Sequence, residues 1–508
     1  MAYISSFRDQ NWLIPQSIRD MIPNDHISFF VEEFVDSLDF SGFDEISEGP
    51  GHPSYHPRII MKIIIQGMLC KERSSRRLAS ACRENFVFMY LAEKVQPEFG
   101  TICRFRKNNE KFMKEAFKET VKLASSYELV DLNLICIDGS KMKANASKKK
   151  MVRKEDLDKL DSIVDRMVEE DIAQDELDLK IFGDKEENKT NIDMKNLKEI
   201  VKEYRKNKNK EKIKENLKKV RGEFEKNPDL KKVSLSDPDS RIMIGSENSY
   251  SLSYNSQLSV DSKNQIIVAN EVTKDCVDAN QLEPQVNNIR ENIDLKEDTK
   301  FALDCGYSSG ENCKFLEDKN IEGYIPNKMQ AALDREQKSK VDDYGYDWNK
   351  NEIIVKGVRY FFYNTYYDKK RESKFHMYRS KDNKTKCVPE FFRERLRMKK
   401  KMETKESREI YDQRKITVEP VFGNLKENLG FRGFKSRGLD GAKIELNIVS
   451  IIHNLKKIWK VKGKISLNNK NIIFELIINN NQMYCETACL LLFKTTKPYL
   501  IYTLYQEV

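Results

Sequence analysis

Residues 128–147, ELVDLNLICIDGSKMKANAS, decide the fold. The apolar run from Leu132 to Ile137 has the length of a buried strand, and it stops at Asp138-Gly139. An aspartate at the C-terminal end of a core strand stands where open α/β sheets carry their chemistry. Further along, SYSLSYNSQLSVD (249–261) and NQIIVANEVT (264–273) read as strands on either side of Ser262-Lys263, the pattern of a hairpin. A helix (ANQLEPQVNNIREN), a strand (KFALDCGY), a second helix (SGENCKFLEDKN) and a last strand (IEGYIP) follow. This order predicts an α/β fold, a mixed sheet with helices packed on it.

Upstream, residues 1–125 read as short helices: HPRIIMKIIIQGMLC, SSRRLASACRENFVFMYL and GTICRFRKNNEKFMKEAFKETVKLA, with Ser74 and Thr101 as N-caps. A helix-turn-helix arrangement is compatible with them. Arg73, Arg76 and Arg77 near one helix start, and Arg104, Arg106 and Lys107 near another, are candidates to meet phosphates or base edges. An ordinary helical domain with a solvated basic face gives the same pattern.

Two departures interrupt the sheet pattern. In residues 151–230, 42 of 80 are charged. Met194, Leu197, Val201 and Tyr204, then Ile213, Leu217, Val220 and Phe224, recur at helical steps, so 149–236 reads as a charged helical hairpin. Residues 331–404 hold a β-rich insertion (NEIIVKGVRYFFYNTYY) and a basic run from Arg393 to Lys401. Trp348 there is a candidate to stack on an unpaired base, or a core residue. The helix GAKIELNIVSIIHNLKKIW closes the core, which spans 126–465, and 466–508 form a tail of no evident role.

Lysine and arginine outnumber aspartate and glutamate by 90 to 81, a net charge of +9, which suits a polyanionic partner. The ten cysteines include no Cys-x-x-Cys pair, pointing to neither a zinc ribbon nor a disulfide framework, and a reducing compartment fits them. The apolar stretch near the C-terminus is broken by Glu486, Lys494 and Lys497, too short to span a bilayer, so no membrane partner is expected.

Three acids stand apart from this background: Asp138 and Asp304, each ending a strand, and Glu419 in KITVEPVFGNLK (415–426). Oxygen-only ligands suit Mg²⁺, with Mn²⁺ able to substitute. Two such ions roughly 3.5–4 Å apart would serve phosphoryl transfer, one activating a nucleophilic oxygen and one stabilising the leaving oxygen. Among the five histidines, only His52 and His56 are four apart, and Pro53 and Pro57 spoil a helical zinc site. No P-loop segment occurs. Pro420 directly after Glu419 predicts a helix start or kink that aims the carboxylate at the sheet, with Lys415 and Lys426 flanking it and limiting repulsion around the acids. Asp275 and Asp278 read as caps of the following helix, and Asp237-Pro238-Asp239 as a turn.

ICIDGSKMKANAS, FALDCGYSSGENCKFLED and YDQRKITVEPVFGNLK together resemble the three acidic motifs of bacterial insertion-sequence DDE transposases, over residues 10 to about 460. The resemblance implies a ribonuclease-H-like core behind a helical DNA-binding domain, with Asp138, Asp304 and Glu419 as the metal-binding triad. It also implies DNA contacts from Tyr411, Arg414 and Lys426, the Tyr/Arg/Glu/Lys signature. Here four residues separate Arg414 from Glu419 where many relatives have three. Helical steps put Tyr411, Lys415, Glu419, Phe422 and Lys426 on one face and Arg414 to one side, so either Lys415 replaces the arginine or the turn before Pro420 is irregular. The structural zinc of some relatives is not expected, since only His376 and Cys387 stand near its place.

The function so implied is a DNA transposase of bacterial cytoplasm, nucleoid-associated when bound. It would cut at terminal inverted repeats and join the freed 3'-hydroxyl to target DNA by transesterification, as a homodimer or larger assembly on DNA. Its rivals are a ribonuclease-H-like nuclease without strand transfer and an inactive DNA-binding protein derived from a transposase.

Overall fold

The structure, a computed structural model, describes residues 17–43, 55–169, 200, 210–245, 249–327, 330, 344–369 and 373–479. The chain separates into two units, residues 1–455 and 456–508. The first unit opens with helices α1 (Ile27–Asp36), α2 (Pro57–Leu69), α3 (Ser75–Glu84), α4 (Phe86–Leu91), α5 (Phe99–Asn108) and α6 (Glu110–Ser126). Pro57 at the first turn and His56, whose ring accepts the Arg58 N–H, start α2, which is buried from Ile59 to Met68 at the centre of the region. Of the two expected caps, Thr101 is corrected and Ser74 keeps its place without a side-chain capping bond. Thr101 lies inside α5, which begins at Phe99 and has Glu98 in its cap position. Ser74 holds the cap position of α3, but its side chain caps nothing, and its own N–H donates to Glu72 Oε1 at 2.7 Å.

Strand β1 (Leu134–Lys143) is longer than the expected Leu132–Ile137, so Asp138 is not at its end. Its parallel neighbour β7 (Lys300–Leu303) stops at the pair Ile137–Leu303, whereas the antiparallel β5 (Tyr250–Asp261) continues beside it to Lys143. Before β5 the chain forms the small pair β2 (Met151–Val152) and β3 (Val233–Ser234), then β4 (Arg241–Ile244); after β5 comes β6 (Ile267–Thr273). β4 and β6 share the edge of β5 opposite β1, at Tyr250–Ser253 and Asn255–Val260 respectively. β8 (Glu322–Tyr324) runs parallel to β7. The order β6-β5-β1-β7-β8, with only the β5 side antiparallel, is the ribonuclease-H-like mixed sheet that the sequence predicts.

The β2–β3 pair closes the base of the charged insertion. There α7 (Lys154–Glu169) and α8 (Lys210–Lys226) pack Leu157, Leu160 and Ile163 against Ile213, Leu217, Val220 and Phe224. Met194, Leu197, Val201 and Tyr204 lie outside the described residues. The β-rich insertion is a five-stranded antiparallel meander of β9 (Tyr344–Asp347), β10 (Glu352–Val355), β11 (Val358–Asp368), β12 (Ser373–Ser380) and β13 (Thr385–Pro389).

Alternate positions of β1 face opposite sides of the sheet. On one side, Ser259, paired with Ile137, donates to Gln285 of α9 (Leu282–Asn292) at 2.8 Å. On the other, Cys136 meets Thr417 of a later helix, so helices cover both faces. After α10 (Gly310–Asp318) and the basic α11 (Phe392–Lys401) come α12 (Lys405–Gly423), which carries Thr417, and α13 (Leu439–Asn479). Ala442, Leu446, Val449 and Ile452 of α13 are fully buried. The second unit is described only where it continues α13 to Asn479. Among the described residues no helix is long and apolar enough to cross a membrane.

Candidate active site

Helix α12 positions most of the site. Thr404 Oγ1 accepts the Ser407 N–H at its start, and Tyr411, Arg414, Val418, Val421 and, in the following turn, Leu425 form a buried stripe at steps of three and four. Of the helix start or kink that the sequence suggested, the helix start is corrected: Pro420 lies inside the helix near its C-terminal end. Lacking an N–H, proline cannot bond the carbonyl four residues back. The Gln265 amide takes that place, donating to the Ile416 carbonyl at 2.7 Å. Beyond Gly423 the chain widens into a π-helical turn, Asn424–Asn428, and Lys426 Nζ reaches back to Ser140 Oγ on β1 at 2.8 Å. Lys426 thus comes back to the sheet through this turn, whereas Arg414 keeps a regular helical step from Tyr411, and the turn before Pro420 is ordinary helix.

Arg414 therefore lies on the buried stripe. Its two terminal nitrogens donate to Asp138 Oδ2 at 2.8 Å and Glu419 Oε1 at 3.0 Å. The alternative in which Lys415 replaces it is corrected: Lys415 is exposed and pairs with Asp412 at 2.8 Å. Burial works against the Arg414 charge, but Asp138, Tyr411, Asp304 and Glu419 outweigh it and hold its pKa above the ordinary value. Tyr411 is nearly buried with Tyr324 and Met402, its ring 5.7 Å from the Arg414 guanidinium, and burial raises its pKa.

Asp138 and Asp304 each follow one member of the aligned pair Ile137–Leu303, so adjacent parallel strands deliver them to the same level of the sheet. Asp138 Oδ1 accepts the Gly139 N–H at 2.8 Å. Burial pushes its pKa up to about 6, Arg414 opposes that rise, and the Asp304 and Asp278 charges add to it. Asp304 has left its strand and caps the turn Cys305–Tyr307, accepting the Gly306 N–H. Lys426 is half-buried, and burial lowers its pKa against the pull of Asp138.

The sequence reading missed Asp278. It does not cap α9, whose cap position is Gln281; its carboxylate instead reaches the β1 surface and accepts from Lys141, Asn255 and Gln257. A Cβ on Gly139 would stand 2.5 Å from Asp278 Oδ1 and 2.3 Å from Gln257 Nε2, so only glycine fits beside it. The signal available was that glycine, next to an acid in mid-strand.

The N-terminal arginines divide into two sets. Arg76 and Arg77 on α3 and Arg104 on α5 are exposed, Arg76 lying over the Phe99 ring and Arg77 bonding Glu72 at 3.1 Å. Arg106 turns inward, both terminal nitrogens donating to the Arg73 carbonyl at 2.9 and 3.0 Å, and buried Arg73 pairs with Glu445 of α13. Trp348 is partly exposed, stacked edge-on by Tyr346 and overlain by Arg397 and Lys400.

Among the described residues no three or more Asp, Glu, His or Cys side chains are gathered closely enough to hold a cation as they stand, and Arg414 stands between Asp138 and Glu419. The carboxylates converging there from β1, β7 and α12 are nonetheless an oxygen-only donor set of the kind hard divalent cations take.

No curated protein matches the chain. Two family models do: residues 16–108 match one described as a transposase domain (DUF772), and 372–459, which include Glu419, match one described as a transposase DDE domain. One transposase model thus covers the N-terminal helices and another the helix that completes the acidic site, and together they support an insertion-sequence DDE transposase.

Proposed function

We propose that this transposase cuts DNA at the terminal inverted repeats of its element and joins the freed 3'-hydroxyl to target DNA, using Asp138, Asp304 and Glu419. The observation that carries this reading is the convergence of β1, β7 and α12, with Arg414 bridging Asp138 and Glu419. The three carboxylates would hold Mg²⁺, or Mn²⁺ in its place, which when bound supplies Lewis-acid charge to the attacking and leaving oxygens. Arg414 provides the positive charge that lets two buried or half-buried acids stand together without it. Lys426, anchored on Ser140 in the turn after α12, and exposed Lys415 on α12 are available to the DNA backbone, nearly buried Tyr411 packs beside Arg414, and exposed Arg76, Arg77 and Arg104 add sequence-independent phosphate contacts. Catalysis in such a site is positioning and electrostatics, with water and then the DNA hydroxyl as nucleophiles and no covalent enzyme intermediate. Two DNA ends handled together call for a dimer or larger assembly on DNA.

The test supplies the purified chain with Mg²⁺, oligonucleotides carrying pre-cleaved element ends, and a target plasmid. Joined products are expected, and Asp304→Asn should lower their yield at least a thousandfold. Cleavage of uncut ends without any joining would leave a nuclease; full DNA binding with neither reaction would leave an inactive binding protein.

A further inference from the structure

Asp278 is out of place for an aspartate that merely leads into a helix. It approaches the sheet from the face opposite α12, where Gly139, Lys141, Asn255 and Gln257 are aligned by the β1–β5 register. Its Oδ1 accepts three hydrogen bonds, from Lys141 Nζ at 2.8 Å, Asn255 Nδ2 at 2.7 Å and Gln257 Nε2 at 2.8 Å. Asn255 and Gln257 are fully buried, and the Tyr307 hydroxyl secures the other end of the Gln257 amide. A surface ion pair with Lys141 needs none of this; two buried amides given to one carboxylate oxygen fix its position.

Its other oxygen, Oδ2, accepts no hydrogen bond from the described residues. It points past the end of β7, where a Cβ on Gly306 would lie 3.3 Å from both Asp278 Oδ2 and Asp304 Oδ1. The glycine thus leaves open the ground between the two carboxylates. Building on the proposed function, we infer that Asp278 is a fourth carboxylate of the acidic site, offering Oδ2 beside Asp304 to a divalent cation while Oδ1 is held from behind. Carboxylate ligands are themselves commonly hydrogen-bonded by an outer shell that fixes their orientation, and Lys141, Asn255 and Gln257 have that relation to Asp278.

The experiment titrates Mn²⁺ into the full chain bound to uncleaved inverted-repeat DNA, following free Mn²⁺ by electron paramagnetic resonance, with thermal unfolding of each variant as the folding control. Asp278→Asn keeps the shape and an acceptor for the three donors while removing the charge. It should weaken Mn²⁺ binding at least tenfold, as Asp304→Asn does, and leave the unfolding temperature within a few degrees. Lys141→Gln removes the ion pair but not the carboxylate, and should weaken Mn²⁺ binding less than Asp278→Asn does. If Asp304→Asn loses Mn²⁺ and Asp278→Asn does not, Asp278 is no ligand although the proposed function stands. Asp278 is equally ruled out if Lys141→Gln and Asp278→Asn lose it to the same extent, since the ion pair alone would then matter. A wild-type complex that takes up no Mn²⁺ overturns both.

Discussion

Asp138 lives under opposed influences, and its titration makes them measurable. Burial puts its pKa at about 6, above the ordinary 3.8, even with Arg414 alongside. A carboxyl that holds its proton longer in the folded chain than in the unfolded one favours folding at low pH, and that advantage is lost as pH rises through the folded value. In the metal-free chain, stability should therefore fall between about pH 4 and pH 6–7 by on the order of 3 kcal/mol from this group. Asp138→Asn, compared with wild type by urea unfolding in EDTA across that range, should show a flatter profile; parallel curves would mean that the aspartate titrates normally in the fold. At this scale the sequence exposed some of the site and hid the rest. Asp138, Asp304 and Glu419 each sit in a local pattern that marks them. Asp278 does not, because the stretch around it looks like an ordinary approach to a helix and its partners come from two strands distant in sequence.

Among the elements, α12 has the least regular design and the most of the site. The sequence signalled a helix and a disturbance at Pro420, but not where the helix began or how the disturbance was absorbed. Both depend on contacts from afar: Gln265, beyond the β5–β6 turn, supplies the donor that the Ile416 carbonyl lacks, and the π-helical turn returns Lys426 to β1. β1 was likewise read too short, because its polar second half is held by β5 pairing and not by its own hydrophobicity. Pro420→Ala would restore an N–H four residues after Ile416. It should raise stability by about 1–3 kcal/mol, and make Gln265 redundant. Gln265→Ala is then expected to cost about 1 kcal/mol in the wild-type chain and close to nothing in the Pro420→Ala background. Equal costs in both backgrounds, measured by denaturant unfolding, would show that the Gln265 amide is not standing in for the missing donor.

Across the whole molecule, the basic residues of the N-terminal helices do two different jobs that sequence cannot separate, because burial and not residue type distinguishes them. Arg73 and Arg106 point into the protein: Arg73 bonds the Gly433 carbonyl at 2.9 Å and Glu445, lies over the Phe431 ring, and has its own carbonyl held by Arg106. Glu445 also accepts the N–H groups of Lys435 and Ser436, so one buried carboxylate joins the turn leading into α3, the loop before α13 and α13 itself. Removing one member of a buried pair strands the other charge, at a cost of roughly 3–5 kcal/mol, whereas an exposed pair contributes about 0–1. Arg73→Met should accordingly destabilise the chain by about 3 kcal/mol or more and speed amide exchange in α2–α5. Arg77→Met, which breaks only the exposed contact with Glu72, should leave stability within about 0.5 kcal/mol. DNA binding should separate them in the opposite sense. Under conditions where both variants are folded, Arg77→Met weakens binding to any sequence and reduces the slope of log affinity against log salt by about one, the mark of a lost phosphate contact, while Arg73→Met leaves that slope unchanged. If Arg73→Met lowered the slope without loss of stability, its guanidinium would have to reach DNA, and the internal tie between the helical region and α13 would be wrong.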